Sequence, residues 1–243
     1  MTFQDKIALV IGGTHGMGGA TAAMLRQGGA TVAVTGSNPA NLDAARAAGF
    51  MTIQLDLSQP DDIEAMSRLA PDRLDAVFLF AGVAELQPLA EVDAATFDRM
   101  LSVNARGAFF AIQALLPRIA EGGSITIATV TPATATPGMG VYMASKGALR
   151  GWAQVLAAEL LPRSIRVNMV APGFIDTPTL GMASLSPSQR AEMHAIGDAV
   201  TPMHRHGRMH EVAEAALFLA FKATFTTGVE LPVDGGISTV DAG

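Results

Sequence analysis

The chain has 243 residues, nearly half of them apolar, with no cysteine and a formal net charge of −6. The missing cysteines exclude a disulfide framework and thiolate chemistry, and the acidic balance speaks against a general nucleic-acid binder, which needs a basic footprint. No apolar run approaches the ~20 residues that span a bilayer, and five histidines scattered without ligand spacing predict no metal site.

The opening stretch "MTFQDKIALVIGG" places an acid and a base before a short apolar run that ends in glycine. That pattern predicts a first strand and not a secretion signal, so a cytoplasmic location is expected. Further strands are predicted over 31–36, 51–56, 74–80, 124–129, 165–171 and 229–235, after the first at 6–12. Each is apolar on both faces, as strands covered by helices on two sides must be. Helices are predicted near 17–28, 39–48, 60–70, 96–120, 140–162 and 209–221, with Ser37 or Asn38 capping before Pro39 and Ser58 before Pro60. The alternation predicts an α/β domain over 1–243: a doubly wound, seven-stranded parallel sheet flanked by helices on both faces. Ligands then bind outside the carboxyl ends of the strands.

The connection over 174–208 breaks this rhythm. It holds a short predicted helix, "SPSQRAEMHAIG", capped by Ser186, and apolar Phe174, Leu180, Met182, Leu185 and Met203. A long connection dotted with apolar side chains predicts a lid over an apolar substrate pocket. The "HRHGR" run, His204 to Arg208, reads as solvated surface, with an anion site as the alternative.

After the first strand comes "IGGTHGMGGAT", in which Gly12, Gly16 and Gly18 are spaced G-x-x-x-G-x-G around Thr14, His15 and Met17. Backbone approaches a pyrophosphate closely where Cβ is missing, and a helix N-terminus offers free N–H groups. Placed between strand and helix, the loop predicts dinucleotide binding; the alternative is a turn needed only for packing. A site for NAD usually has an acid about 20 residues on, yet no Asp or Glu occurs between Gly12 and Asp43. Gly36 and Ser37 leave room for a 2′-phosphate, to which Ser37, Asn38 and His15 could donate. NADP(H) is therefore expected in preference to NAD(H).

The stretch "VYMASKGAL" holds the only tyrosine, Tyr142, four residues before Lys146. Residues i and i+4 share a helix face, so the cation is expected to lower the phenol below its ordinary pKa of ~10. Such a phenol serves as acid or base at a carbonyl or alcohol oxygen. The bland alternative is a buried ring beside a solvated lysine.

Together these motifs resemble the short-chain dehydrogenase/reductase family over essentially the whole chain, which implies a Rossmann-type domain and a nicotinamide cofactor. The glycine motif corresponds to Gly12, Gly16 and Gly18, with Ile11 where threonine is usual. Asp56-Leu57 resembles the pair facing the adenine, although Asp56 could also be a strand-end turn former. In "LFAG", Ala81 and Gly82 match the family while Leu79 and Phe80 replace two asparagines. Asn104 fits the family's helix asparagine, which supports a water relaying protons to the lysine; its alternative is a packing amide. Thr129 falls at the catalytic serine's place, with Thr131 as a neighbouring alternative, and its hydroxyl would hold the substrate oxygen. Lys146 would also bind the nicotinamide ribose. "APGFIDT" resembles the segment that places Pro172, Gly173, Ile175 and Thr177 beside the nicotinamide, and "TTGVELPVDGG" the family's last strand.

The resemblance implies NADPH-dependent reduction of a hydrophobic ketone, reversible as secondary-alcohol oxidation. The alternatives are a 3-oxoacyl-carrier-protein reductase, which needs a basic surface beside the pocket for its acidic partner, and a disabled, nucleotide-sensing regulator. Phe109, Phe110, Leu115, Leu116, Trp152, Leu156 and Leu160 exceed one apolar stripe on their two helices. Those helices pair across a two-fold axis in the resembled family, so a homotetramer is expected.

Overall fold

The computed structural model describes residues 1–131, 136–178 and 186–240. Its strands are β1 (Ile7–Ile11), β2 (Thr31–Gly36), β3 (Met51–Gln54), β4 (Leu74–Leu79), β5 (Ile119–Ala128), β6 (Arg166–Pro172), β7 (Ile175–Asp176), β8 (Gly207–Arg208) and β9 (Glu230–Val233). Seven form one parallel sheet in the order β3-β2-β1-β4-β5-β6-β9, while β7 and β8 pair separately. The helices are α1 (Gly16–Gln27), α2 (Pro39–Ala47), α3 (Pro60–Leu69), α4 (Ala94–Leu101), α5 (Ala108–Leu115), α6 (Gly140–Glu159), α7 (Pro187–Val200) and α8 (Met209–Phe221).

Strand side chains alternate between two faces, and in an all-apolar strand each face needs its own cover. Leu9 and Ile11 of β1 and Val77 and Leu79 of β4 enter a core with Ile63 and Met66 of α3, Ile112 and Leu115 of α5, and Leu149 and Ala153 of α6. Ala8, Val10, Ala76 and Phe78 enter the opposite core with Leu25 of α1, Ala45 of α2, and Val212 and Leu217 of α8. The strand order reverses between β1 and β4, and the crevice at that reversal is where ligands bind in such sheets. Asp75, buried within β4, accepts from the Ile7 N–H at 2.9 Å and pairs with Arg73 at 2.8 Å. The acid thus ties β4 to the start of β1, at the end of the sheet away from that crevice.

Three expectations need correction. The helix expected over 96–120 is α4, a π-helical turn at Ser102–Gly107, and α5, which gives way to a 3₁₀ turn at Leu116–Arg118 around Pro117. Proline has no N–H to continue the ladder. The strand expected from 124 begins at Ile119, which pairs with Leu74, and the register shifts between Leu74 and Ala76. That irregularity lets the strand run through the glycines of "EGG", residues 121–123. Ser58 does not cap α3: its Oγ donates to Asp56 Oδ1 at 2.7 Å, and Gln59 precedes the helix. The other caps fall on Asn38, which accepts from the Asn41 N–H, and on Ser186, which forms a reciprocal capping box with Gln189.

Candidate active site

A cleft of about 430 Å³ lies outside the carboxyl ends of β1, β2, β4 and β5. Gly12, Thr14, His15, Gly16, Met17 and Gly18 form its wall at α1. A Cβ at Gly12 would stand 2.6 Å from the Ala81 nitrogen, and one at Gly18 would stand 2.2 Å from the Gly12 oxygen. Packing alone therefore demands these two glycines. Gly16 differs: its φ of +61° favours glycine, but nothing lies within 4 Å of its absent Cβ. The open space sits at the start of a twelve-residue helix whose N-cap, His15, makes no side-chain cap bond. Unsatisfied N–H groups and the positive end of the helix dipole suit a phosphate there.

Ser37, Asn38 and Asn41 line the far end of the cleft beside Gly36. Gly36 itself leaves no room, because a Cβ there would meet the Thr14 side chain at 2.8 Å. The space is bounded by Ser37 and Asn38 instead. Asn41 escaped the sequence reading, although one turn after Asn38 on α2 it was the natural neighbour. Asp56 and Leu57 also line the cleft, and the Asp56 carboxylate accepts the Ser58 N–H at 2.9 Å, the geometry of a strand-end turn.

Ala81, Gly82, Thr129, Tyr142 and Lys146 meet in the inner part of the cleft. Gly82 is wedged so that a Cβ would stand 3.1 Å from Asn104 Oδ1 and 3.2 Å from Lys146 Nζ. Asn104 is fully buried in the π-helical turn, a distortion common at functional sites. Its Oδ1 accepts from the Val83 N–H at 2.8 Å, and its Nδ2 donates to the Val83 carbonyl at 2.8 Å and to Ser145 Oγ at 3.0 Å. Ser145 Oγ donates onward to the Tyr142 carbonyl at 2.7 Å. Both amide hydrogens and one lone pair of Oδ1 thus go to packing the loop after Gly82 against α6. Ser145 was missed, though its place inside "YMASK" marked it.

Lys146 is buried and its Nζ donates to the Ala128 carbonyl at 3.1 Å. Burial pushes its pKa down to about 8 and pushes the Tyr142 phenol up to about 12. The expected lowering of Tyr142 by Lys146 is therefore wrong for the protein alone. Desolvation disfavours both charged forms, and it outweighs any attraction between them.

Thr129 lines the cleft and Thr131 does not. The Thr129 hydroxyl faces Glu230 Oε1 at 2.5 Å and the Val170 carbonyl at 3.1 Å, while Thr131 Oγ1 donates to Asp234 Oδ2 at 2.5 Å. From the "APGFIDT" segment only Thr177 reaches the cleft. Pro172 closes β6, Gly173 packs against Asp234, and Ile175 is buried in the core under α8.

Of the expected lid residues, Leu180, Met182 and Leu185 lie outside the described residues, and Met203 is exposed. The "HRHGR" run is only partly solvated. The His206 side chain is 7% exposed, 2.7 Å from Asp198 Oδ1 through Nδ1, with its ring 4.4 Å from that of His194 and edge-on to Phe174. The hydrogen bond from His206 holds the Asp198 carboxyl below its ordinary range. Of the seven apolar residues in excess on α5 and α6 and at their ends, Leu115 and Leu160 are buried, whereas Phe109 and Phe110 are exposed. Among the described residues, no group of three His, Asp or Glu could hold a metal ion, and no helix is long and apolar enough to cross a membrane.

Residues 12–238 match a family model described as enoyl-(acyl carrier protein) reductase. The chain is 34% identical to cyclopentanol dehydrogenase of Comamonas testosteroni over 96% of its own length and 97% of that protein's. It is 31% identical to the 3-oxoacyl-[acyl-carrier-protein] reductase of Thermotoga maritima, over 98% of this chain and 99% of that one. A short chain dehydrogenase from Burkholderia cenocepacia, solved in complex with NADP, superposes with a TM-score of 0.84 at 31% identity, covering 98% of this chain and 99% of that one.

Proposed function

Because the chain belongs to the short-chain dehydrogenase/reductase family of NAD(P)-dependent oxidoreductases, we propose that it interconverts a ketone and its secondary alcohol, with NADP(H) as redox partner and Tyr142 as the acid–base group. One observation carries this reading: a single cleft runs from the uncapped start of α1 to Thr129, Tyr142 and Lys146. The bound dinucleotide supplies the hydride. Gly16 and the first turn of α1 hold its pyrophosphate, and Ser37, Asn38 and Asn41 take the 2′-phosphate. Asp56 is the one carboxylate of the cleft lining among the described residues, and its Oδ1 is taken up by the Ser58 N–H and hydroxyl; no acid stands at Ser37, Asn38 or Asn41, which supports NADP(H). Asp56 and Leu57 border the adenine, and Lys146 serves the nicotinamide ribose.

Tyr142 is neutral across the physiological range, since burial pushes it up to about 12. It therefore begins as a proton donor and protonates the substrate oxygen as the carbonyl carbon is reduced. In the reverse direction it must first lose that proton, which the cationic oxidised nicotinamide favours. Phe80, Val83, Ala84 and Val103 give the cleft an apolar lining, which suits a hydrophobic ketone. The similarity to cyclopentanol dehydrogenase points to a cyclic one.

The similarity to a carrier-protein reductase favours a second reading, but two of the cations that could meet an acidic partner are already paired with carboxylates. Arg99, at its edge, is paired with Glu85, and Arg205 is 2.7 Å from Glu211. NADPH oxidation measured with cyclopentanone, cyclohexanone and a 3-oxoacyl thioester tests the choice. Turnover of the cyclic ketones, abolished by Tyr142→Phe, is expected. Turnover of the thioester alone would favour the second reading. NADPH binding with no turnover of any ketone would leave a nucleotide sensor.

The exposed Phe109 and Phe110 rings of α5, with Phe109 edge-on to Trp152 of α6, support pairing of these helices between copies in a homotetramer. A monomeric mass by light scattering at micromolar concentration would refute that.

A further inference from the structure

Thr129 has one hydroxyl proton and two lone pairs to distribute. Among the described residues, both hydrogen-bond neighbours of its Oγ1 are acceptors: Glu230 Oε1 at 2.5 Å and the Val170 carbonyl at 3.1 Å. A carboxylate is the stronger acceptor, so the Thr129 hydroxyl donates to Glu230. Glu230 is itself held. Arg150 Nε donates to its Oε2 at 2.6 Å, and Arg150 Nη2 donates to the Val130 carbonyl at 3.0 Å. The two side chains are only 29% and 18% exposed, so the pair is well shielded from solvent screening.

The elements around this group explain its rigidity. Tyr142, Lys146 and Arg150 follow one another at four-residue spacing, on one face of α6. Lys146 holds the Ala128 carbonyl and Arg150 the Val130 carbonyl, so two cations grip the strand end on either side of Thr129. Glu230, opening β9 and paired in register with Met169 of β6, closes the ring from the neighbouring strand.

We propose that the Arg150–Glu230 pair is a positioning device that sets the direction of the Thr129 hydroxyl, so that Oγ1 offers a lone pair to the cleft and the enzyme binds the alcohol in preference to the ketone. An alcohol O–H donates to that lone pair. A carbonyl oxygen meets lone pair with lone pair, until Thr129 rotates off Glu230 and gives up its charge-assisted bond. The inference rests on the ketone–alcohol reading above. At given cofactor affinities the reactants fix the ratio of the two specificity constants, so the effect falls on the affinities of the ternary complexes and on the two turnover numbers.

Glu230→Gln inverts the arrangement. Arg150 still requires an acceptor, so the amide oxygen turns to Arg150 and the amide NH₂ turns to Thr129, whose proton is then released from position 230 and left to choose between the neutral Val170 carbonyl at 3.1 Å and a substrate oxygen in the cleft. Calorimetry on the Tyr142→Phe enzyme saturated with NADPH gives dissociation constants for cyclopentanol and cyclopentanone without turnover. The ketone-to-alcohol ratio of these constants is expected to fall about three- to tenfold with Glu230→Gln, the worth of one hydrogen bond. In a Thr129→Val background the same substitution should leave the ratio unchanged. An unmoved ratio in the first case, or an equal shift in both backgrounds, overturns the proposal. Should Glu230→Gln not fold, Glu230→Asp keeps the charge for Arg150 but withdraws it from Thr129, and it must move the ratio the same way. A wild type that turns over both compounds while the ratio stays fixed sinks this proposal alone; a wild type that binds NADPH and neither compound sinks the functional reading with it.

Discussion

Asn104 Nδ2 donates to Ser145 Oγ at 3.0 Å, and Ser145 Oγ donates in turn to the Tyr142 carbonyl at 2.7 Å. This two-bond chain couples the π-helical turn before α5 to the helix that carries the phenol. Removing Ser145 Oγ leaves one buried Nδ2–H of Asn104 without its acceptor. Ser145→Ala should cost about 1–2 kcal/mol of stability and lower kcat, because it loosens Tyr142 without touching the cofactor end. Denaturant unfolding and steady-state kinetics check this, and an unchanged kcat with a raised KM for NADPH would contradict it.

Lys146 sets activity against stability. Its folded pKa of about 8 lies below the ordinary 10.5, so between those values the unfolded chain binds more protons than the folded one. Stability therefore rises with pH through that window, and below it the fold carries the full cost, about 3 kcal/mol. Lys146→Met removes this cost but leaves the Ala128 carbonyl without its donor. A net gain of about 1–2 kcal/mol at pH 7 is expected, shrinking as pH passes from 8 to 10.5, together with loss of turnover. A variant less stable than the parent at pH 7 would show that the bond to Ala128 outweighs the burial of charge.

The lone tyrosine makes its own titration readable by difference absorbance. Without cofactor, no phenolate should form below pH 10, because burial pushes Tyr142 up to about 12. The sign for stability follows: the folded state holds this proton while the unfolded state loses it, so stability falls as pH rises from 10 towards 12. Adding NADP should move the transition downward through the nicotinamide's positive charge. Alcohol oxidation should consequently have a more alkaline optimum than ketone reduction. Phenolate appearing near pH 8 in the cofactor-free protein would overturn the desolvation argument.

Cofactor choice is tested at Ser37 and not at Gly36. An acid at Gly36 would collide with Thr14 and confound selectivity with misfolding. Ser37 is exposed at the rim of the cleft, so Ser37→Asp adds charge at little structural cost. Its KM for NADPH should rise about tenfold or more, the scale of one close like-charge contact, with the KM for NADH little changed. Equal effects on both cofactors would place the 2′-phosphate elsewhere.

The sheet was legible because buried parallel strands must be apolar on both faces, and runs such as "LDAVFLF" have few other uses. The glycine loop and "YMASK" were legible because their chemistry demands fixed spacing along a single element. Glu230 and Arg150 were not. They stand 101 and 21 residues from Thr129, and no spacing rule links β9, α6 and the end of β5. The phenol's pKa was misjudged for a related reason: spacing reveals a neighbouring cation, while burial depends on every element packed around it. The π-helical turn was hidden because one extra residue in a helical turn leaves the apolar pattern almost intact.

The four-residue ladder on α6 also governs which changes in length this chain can tolerate. One residue inserted or deleted within 140–150 turns everything beyond it by about 100° about the helix axis. A change between Tyr142 and Arg150 thus breaks the common face of Tyr142, Lys146 and Arg150, and at least one of their contacts is lost even if every functional side chain is retained. The same insertion at the exposed turn around Leu161, beyond the last gripping residue, leaves their phase untouched. Engineered variants should therefore accept a change of length at the turn around Leu161 and hardly any between Tyr142 and Arg150.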